Sequence, residues 1–329
     1  MKPSIPSAAV VLALICGGAV AGQTGVALAQ SYPARPIHLI TGNPPGGATD
    51  VIARTLGGPL GERLGQNVIV DNRPGANGTI SAEVVAKSPP DGYTILYANS
   101  SLLVINPHIY KKSAVDLNRD LIPIGTTVTN QLVLAVNPKV VPVKTFPEFI
   151  AFARGHGSNL FYASIGNGSY HHLGVELLKQ MAKIEMTHVP YKGGGPAAIS
   201  VIAGENAAML GGTSVVFHIK SHKLVGLAVT DRKGWPAMPE LPAIGDFYPG
   251  YSIALWHGIF APRGTPPAIV EKLRTELNAV LAMPDVKTKL EVSGAGEPYI
   301  TTQGEFEALI KNDYERYGKV IKSIGLKVD

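Results

Sequence analysis

Short apolar runs alternate with stretches of helical periodicity along almost the whole chain. The runs rich in branched and aromatic residues read as strands: Ile37–Thr41, Val68–Asp71, Thr94–Ala98, Leu132–Asn137, Leu160–Ala163, Thr187–Pro190, Leu224–Thr230 and Ile253–Ala261. Helical patterns separate them, and this alternation predicts an α/β architecture. The first helical pattern sets Ile52, Leu56, Leu60 and Leu64 at intervals of four, one stripe facing a core. Gly57-Gly58-Pro59 interrupts it. Proline inside a helix costs about 3 kcal/mol, so a kink or restart is expected there. Thr265-Pro266 offers an N-cap and a first-position proline to a helix carrying Ile269, Leu273, Leu277 and Leu281. Thr302 and Glu305 make a capping box for a last helix. Its apolar face holds Phe306, Leu309, Ile310, Tyr317, Val320, Ile321 and Ile324, and Gly325 closes it.

Two loops share one design. Thr41 to Asp50 reads TGNPPGGATD after the first apolar run, and Ser164-Ile165-Gly166-Asn167-Gly168-Ser169 follows Phe161–Ala163. Each reads as strand, glycine turn and helix start. Such a turn aims unpaired backbone N–H groups and the positive end of a helix dipole at one spot. Gly46, Gly47, Ala48, Thr49 and Asp50 can present amides, and Thr49, Ser164 and Ser169 add hydroxyls. Both loops are poor in charge, so a site between them would hold an anion through main-chain donors. Hydrogen bonds to a charged acceptor return about 1.5–3 kcal/mol each. Several together offset the several kcal/mol needed to bring a carboxylate out of water. Valine at Gly47 or Gly168 is expected to abolish ligand binding with the unliganded melting point nearly unchanged.

Met1 and Lys2 precede an apolar segment, Ala8 to Ala21, and Ala27-Leu28-Ala29 follows as a cleavage site. The apolar core is short and broken by glycine, as in a secretory signal peptide, here residues 1–29 with cleavage near Ala29. The only cysteine, Cys16, lies inside it, so the mature chain has no thiol chemistry. The leader carries one lysine and no acid, so its loss takes the formal charge from +5 to +4. That mild, dispersed excess does not make a nucleic-acid surface. No later segment has enough consecutive apolar residues to span a membrane.

Catalytic templates fail. The chain has no G-x-S-x-G elbow, no H-E-x-x-H, no C-x-x-C and no P-loop lysine. Gly166-Asn167-Gly168 begins a dinucleotide pattern, but His171 stands where its third glycine would be. His218 and His222 lack a third metal ligand nearby and read as surface histidines. His171-His172, at a presumed helix start beside the second loop, serve either a ligand contact or a structural hydrogen bond. A hydrolase using either would need a paired nucleophile that no motif supplies. No cofactor or metal is expected.

Longer motifs carry a resemblance. YPARPIHLI (32–40), PPGGATDVIAR (44–54), VDNRPGANG (70–78), PPDGYTIL (89–96), VPYKGGGPA (189–197), LAVTDRKGWPAMPELPAI (227–244) and WHGIFAPRGTPPAIVEKL (256–273) occur in this order. In this set the chain resembles the Bug family of periplasmic solute-binding proteins, the TctC-like receptors of tripartite tricarboxylate transporters. The resemblance implies a type II periplasmic-binding-protein fold: two lobes with central mixed sheets flanked by helices, and a cleft between them. It implies capture of a small carboxylate without chemical turnover, followed by docking on membrane permease subunits. A carboxylate-sensing partner of a signalling system is the alternative role. By similarity, Pro45, Gly46, Gly47, Ala48, Thr49 and Asp50 in one loop would grip the ligand from one side. Ser164, Gly166, Asn167, Gly168, Ser169 and His171 in the other would grip it from the opposite side. Ser100, Ser101, Tyr191 and Lys192 would line the rest.

The lobes are expected at 30–130 plus 228–329 and at 131–227, joined near Leu132–Asn137 and Leu224–Thr230. Relatives commonly carry aspartates where this chain has Ala207 and Gly211. If position 211 faces the cleft, a ligand ammonium would lack a counter-charge. The expected ligand is therefore a dicarboxylate, tricarboxylate or aromatic carboxylate without a free amine.

Overall fold

The computed structural model describes residues 32–110, 116–231, 235 and 238–326. The leader expected at residues 1–29 lies outside them. Eleven strands form two sheets among the described residues. They are β1 (Ile37–Thr41), β2 (Val68–Asn72), β3 (Thr94–Asn99), β4 (Leu121–Asn130), β5 (Val133–Val136), β6 (Phe161–Ser164), β7 (Thr187–Pro190), β8 (Ala208–Gly211), β9 (Val225–Val229), β10 (Leu255–Pro262) and β11 (Glu297–Pro298). The first sheet runs β11-β4-β10-β3-β1-β2 and the second β7-β6-β8-β5-β9. In the first, β2, β1 and β3 are parallel and β10 enters antiparallel. In the second, β7, β6 and β8 are parallel and β5 enters antiparallel. β10 and β5 are also the strands by which the chain arrives in each sheet from the other. The chain crosses between Asn130 and Val133 and returns between Val229 and Leu255.

The Ala48–Leu64 helix runs through Pro59 without the expected restart. Its stripe Ile52, Leu56, Leu60 and Leu64 is buried. Burying a large aliphatic side chain returns about 1.5–3 kcal/mol, so four of them outweigh one lost helix bond. The neighbouring glycines serve packing. A Cβ at Gly61 would lie 2.9 Å from the carbonyl oxygen of Gln66, and one at Gly57 would touch Val68 and Val70 of β2. The next boundary shifts by one residue: the Pro267–Leu281 helix has Pro266 as its N-cap, while the Thr265 hydroxyl donates to the Pro262 carbonyl.

The last helix, Gln303–Ile324, has the expected capping box at Thr302 and Glu305 and a left-handed Gly325 at its end. It reaches both sheets' surroundings. Phe306 packs on Trp256 and Phe260 of β10, while Tyr317 meets Tyr170 edge-on, ring centres 5.2 Å apart. Tyr170 opens the Tyr170–Ala182 helix, which follows β6. Asp313 on the same long helix accepts a bond from the Trp256 indole N–H at 2.8 Å.

In both sheets the parallel strands β1, β6, β7 and β8 lead through a turn into a helix. Those helices begin at Ala48, Tyr170, Gly194 and Thr213. Helix N-termini therefore gather at the carboxyl ends of these strands, where open α/β sheets bind ligands.

Candidate functional site

A cavity of about 320 Å³ lies where the two sheets' strand ends face each other. Its lining from the first sheet's side comprises Asn43, Gly46, Gly47, Ala48, Thr49 and Val51, with Asn99, Asn130, Leu255, His257 and Ser293. From the second sheet's side come Leu132, Ile165, His171, Gly194, Gly195, Gly212 and Ser214. No aspartate, glutamate, lysine or arginine is among these residues.

The charge complement comes from the main chain. The Ala48–Leu64, Gly194–Ala203 and Thr213–Lys220 helices start from Gly47, Gly193 and Gly212, and none of these N-caps can supply a side-chain oxygen. The first turn of a helix has amides without intrahelical acceptors. At Ala48, Thr49, Gly194 and Gly195, no group of the described chain takes them. Four buried side chains of the lining also carry polar atoms without partners: Thr49 Oγ1, Asn130 Oδ1, His171 Nδ1 and both ring nitrogens of His257. Burial lowers His171 to a pKa of about 4 and His257 to about 3, so both rings are neutral at pH 7. The cavity thus offers dipoles, N–H groups and hydroxyls, and no formal charge.

The residues expected from the sequence divide. Gly46, Gly47, Ala48, Thr49 and His171 line the cavity. Pro45 is exposed beside it. Two of the amides expected to be free are used within the loop. Gly46 N–H donates to the Asp50 carboxylate and Gly47 N–H to the Pro44 carbonyl. Asp50 is a brace: burial opposes its charge, but bonds from Arg54, Gly46 and Asn72 prevail and hold its pKa below the usual range. The Ser100 hydroxyl accepts from Trp256 N–H, and that of Ser101 donates to Asn99 Oδ1.

The second loop faces two ways. Ser169 caps the Tyr170–Ala182 helix, accepting from His172 N–H at 3.3 Å, and its hydroxyl donates to the Gly166 carbonyl. Ser164 Oγ lies 2.6 Å from His188 Nε2. Gly168 N–H donates to His172 Nδ1 at 3.3 Å, which leaves the neutral ring's proton on Nε2. The His172 and His188 rings stack with centres 3.8 Å apart. Outward, the loop meets the first sheet's half of the molecule. Asn77 Nδ2 donates to the Gly168 carbonyl and the Tyr110 hydroxyl to that of Asn167, both at 3.2 Å. Ser164, Gly166, Asn167, Gly168 and Ser169 therefore surround the cavity without lining it, whereas Ile165 lines it. Tyr191 takes a bond from Asn206 at its hydroxyl, and Lys192 is exposed.

Gly194, Gly195, Gly212, Ser214, Asn130 and His257 are not reached from the sequence. The first four carry a signal, since Gly193-Gly194-Gly195 and Gly211-Gly212 repeat the strand–glycine–helix design. Asn130 and His257 stand on strands and belong to no glycine loop, although His257 falls within the stretch 256–273 that carries the resemblance. Position 211 does not face the cavity: a Cβ there would lie 2.6 Å from Val215 Cγ1 and Cγ2, beneath the Thr213–Lys220 helix. The premise for a missing counter-charge at Gly211 therefore falls. Among the described residues no group of histidines, acids or cysteines could hold a metal ion, and no helix is long and apolar enough to cross a membrane.

Comparison with known proteins gives a consistent set. The family model described as tripartite tricarboxylate transporter family receptor matches residues 52–326. Protein BugT of Bordetella pertussis is 34% identical over 315 residues, covering 94% of this chain and 95% of BugT. An R. palustris protein determined with adipate is 32% identical, covering 90% of this chain and 99% of its own, with a TM-score of 0.86. MatC of Rhodopseudomonas palustris, determined with bound malate, is 27% identical, covering 88% of this chain and 100% of its own, with a TM-score of 0.81.

Proposed function

The chain belongs to the tripartite tricarboxylate transporter receptor family, and from that premise we propose that it captures a small carboxylate in the cavity between its two sheets and hands it to membrane permease subunits. The family is one of solute-binding receptors, not of enzymes. One observation carries the reading: the cavity has no ionised side chain yet sits at the N-termini of three helices. A helix N-terminus behaves as roughly half a positive charge with donors already aimed. In a low-dielectric cavity those dipoles act at greater strength than in water. The relatives determined with adipate and malate hold ligands of the same class.

The lobes proposed are 30–130 plus 230–329 and 131–229, the second boundary following Val229, where β9 ends. Ligand would favour a closed arrangement in which the bonds from Asn77 to Gly168 and from Tyr110 to Asn167 hold the halves together. Periplasmic binding proteins as a class close in this way, by hinge motion around a ligand. Export through the leader at residues 1–29 would deliver the mature chain to the periplasm.

A thermal-shift and calorimetric screen of mono-, di- and tricarboxylates tests the proposal. A ligand at 100 times its Kd adds about 2.7 kcal/mol of stability. At least one member should bind with 1:1 stoichiometry, and Gly194→Val, whose Cβ would lie 2.8 Å from Ser214 Oγ at the cavity wall, should remove the signal. A screen in which only amines or neutral sugars bind would overturn the reading.

A further inference from the structure

The wall formed by β4 and β10 has a polar demand that an ionised acid group does not meet. Leu255 of β10 pairs with Asn130 of β4, and His257 of β10 with Asn99 of the neighbouring β3, and all four residues line the cavity. Asn130 is 5% exposed, and its Nδ2 donates to the Ala295 carbonyl at 3.4 Å. That bond sets the amide's orientation, because a flipped side chain would turn Oδ1 against the carbonyl. Oδ1 is left without a partner. His257 is 2% exposed, stacked on Tyr97 with centres 5.8 Å apart, and neither ring nitrogen has a partner. A neutral imidazole shows one N–H and one lone pair. The wall therefore presents two unpaired acceptors beside one unpaired donor.

A carboxylate only accepts. It can take the His257 N–H, but it offers nothing to Asn130 Oδ1 or to the imidazole lone pair. An ammonium group would donate to both, yet no side-chain carboxylate lines the cavity and three helix N-termini already turn positive ends toward it. A neutral hydroxyl both donates and accepts. Resting on the carboxylate reading of this same cavity, we propose that the preferred ligand is a hydroxycarboxylate, its acid group at the helix N-termini and its hydroxyl paired with Asn130 and His257. The apolar lining of Val51, Leu132, Ile165 and Leu255 suits the carbon skeleton between them.

A buried acceptor left unpaired by the hydroxyl-free analogue corresponds to about a 10- to 100-fold difference in affinity. Calorimetry on the mature chain with two matched pairs, succinate against malate and glutarate against 2-hydroxyglutarate, reads this directly. The hydroxylated member of at least one pair should bind about 10- to 100-fold more tightly, and aspartate more weakly than malate. Asn130→Leu should bring the ratio within about twofold, and His257→Phe, which keeps the stack on Tyr97, should shrink it independently. Equal affinities within both pairs for the wild-type chain overturn the inference and leave the carboxylate reading standing. Absence of binding by every acid in the set overturns both.

Discussion

The Asp50 carboxylate accepts a hydrogen bond from the backbone amide of Gly46, 2.8 Å away, and so closes the first glycine loop on its own helix. Arg54 and Asn72 hold the other oxygen at 2.9 Å each, and Asn72 also donates to the Asn43 carbonyl. The only acid in the loop is therefore spent on the loop's shape. Asp50→Ala should cost about 1–3 kcal/mol of unliganded stability, the range for orphaning buried partners. It should also weaken ligand binding at least tenfold. The pKa of Asp50 is lowered from 3.8 in the folded chain. Its contribution is thus full above about 3.8 and is lost as pH falls through the lower folded value. Urea titrations should show the full mutant penalty at pH 7 and a penalty that shrinks progressively as pH falls below about 3.8; a penalty independent of pH would contradict the assignment.

Gly168 is held between two constraints. Its φ is +74°, and a Cβ there would lie 2.1 Å from Cδ1 of Ile109. The sequence alone suggests that valine at this position spares unliganded stability, and the geometry says otherwise. Gly168→Ala should lower the unliganded melting temperature by several degrees and weaken ligand binding, since the loop would be pushed off the half it bridges to. Ile109→Val deletes the obstructing atom at a cost of about 0.5–1.5 kcal/mol by itself. In the double mutant, part of the lost binding should return. Strict additivity in this cycle would show that the contact carries no coupling.

Much of the fold was legible because strand runs and helix caps are local signals. β1 and β7 have the expected ends, and Thr302 with Glu305 caps the last helix as read. β4 escaped because Leu121–Asn130 contains Pro123 and Gly125 and three threonines in place of an alternating pattern. Its strand state comes from pairing with β10 on one side and β11 on the other, which no local window contains. Both glycine loops have the strand–turn–helix form that the sequence predicts, yet only the first presents several lining residues. The second is occupied internally by Ser164, Ser169 and the stacked His172 and His188. Such occupancy depends on β7 supplying His188, and the sequence does not reveal that contact.

Acid should destabilise this chain steeply. Burial lowers His171 and His172 to about 4 and His257 to about 3, and burial with the neighbouring His172 lowers His188 to about 3. The unfolded chain protonates these rings near pH 6.5 while the folded chain leaves them neutral. The contribution of these rings is thus flat with pH above that value and falls between pH 6.5 and about 4. The two deeply buried rings, His171 and His257, each contribute roughly 1.4 kcal/mol per pH unit, and the less deeply buried His172 and His188 pair less. Unfolding free energies from urea titrations at half-unit intervals give the slope. His257→Phe should reduce it by close to one proton, and an unchanged slope would mean that His257 is not buried neutral.

Ligand affinity should depend only weakly on salt. Exposed charges are screened over about 10 Å at 0.1 M ionic strength and about 3 Å at 1 M, whereas dipoles inside a closed cavity act at contact distance with little intervening electrolyte. The lining of the cavity contains no lysine or arginine, and its two histidines are neutral. The mild positive excess of the chain is dispersed and should contribute mainly to the encounter rate. Raising sodium chloride from about 0.05 to 0.5 M should therefore change the equilibrium Kd of a bound dicarboxylate by less than about threefold, while the association rate falls more. Stopped-flow and calorimetric measurements on one sample separate the two. A Kd that rises more than tenfold over this range would mean that surface cations outside the cavity provide the attraction, and the helix N-termini would then be orienting an anion they do not themselves capture.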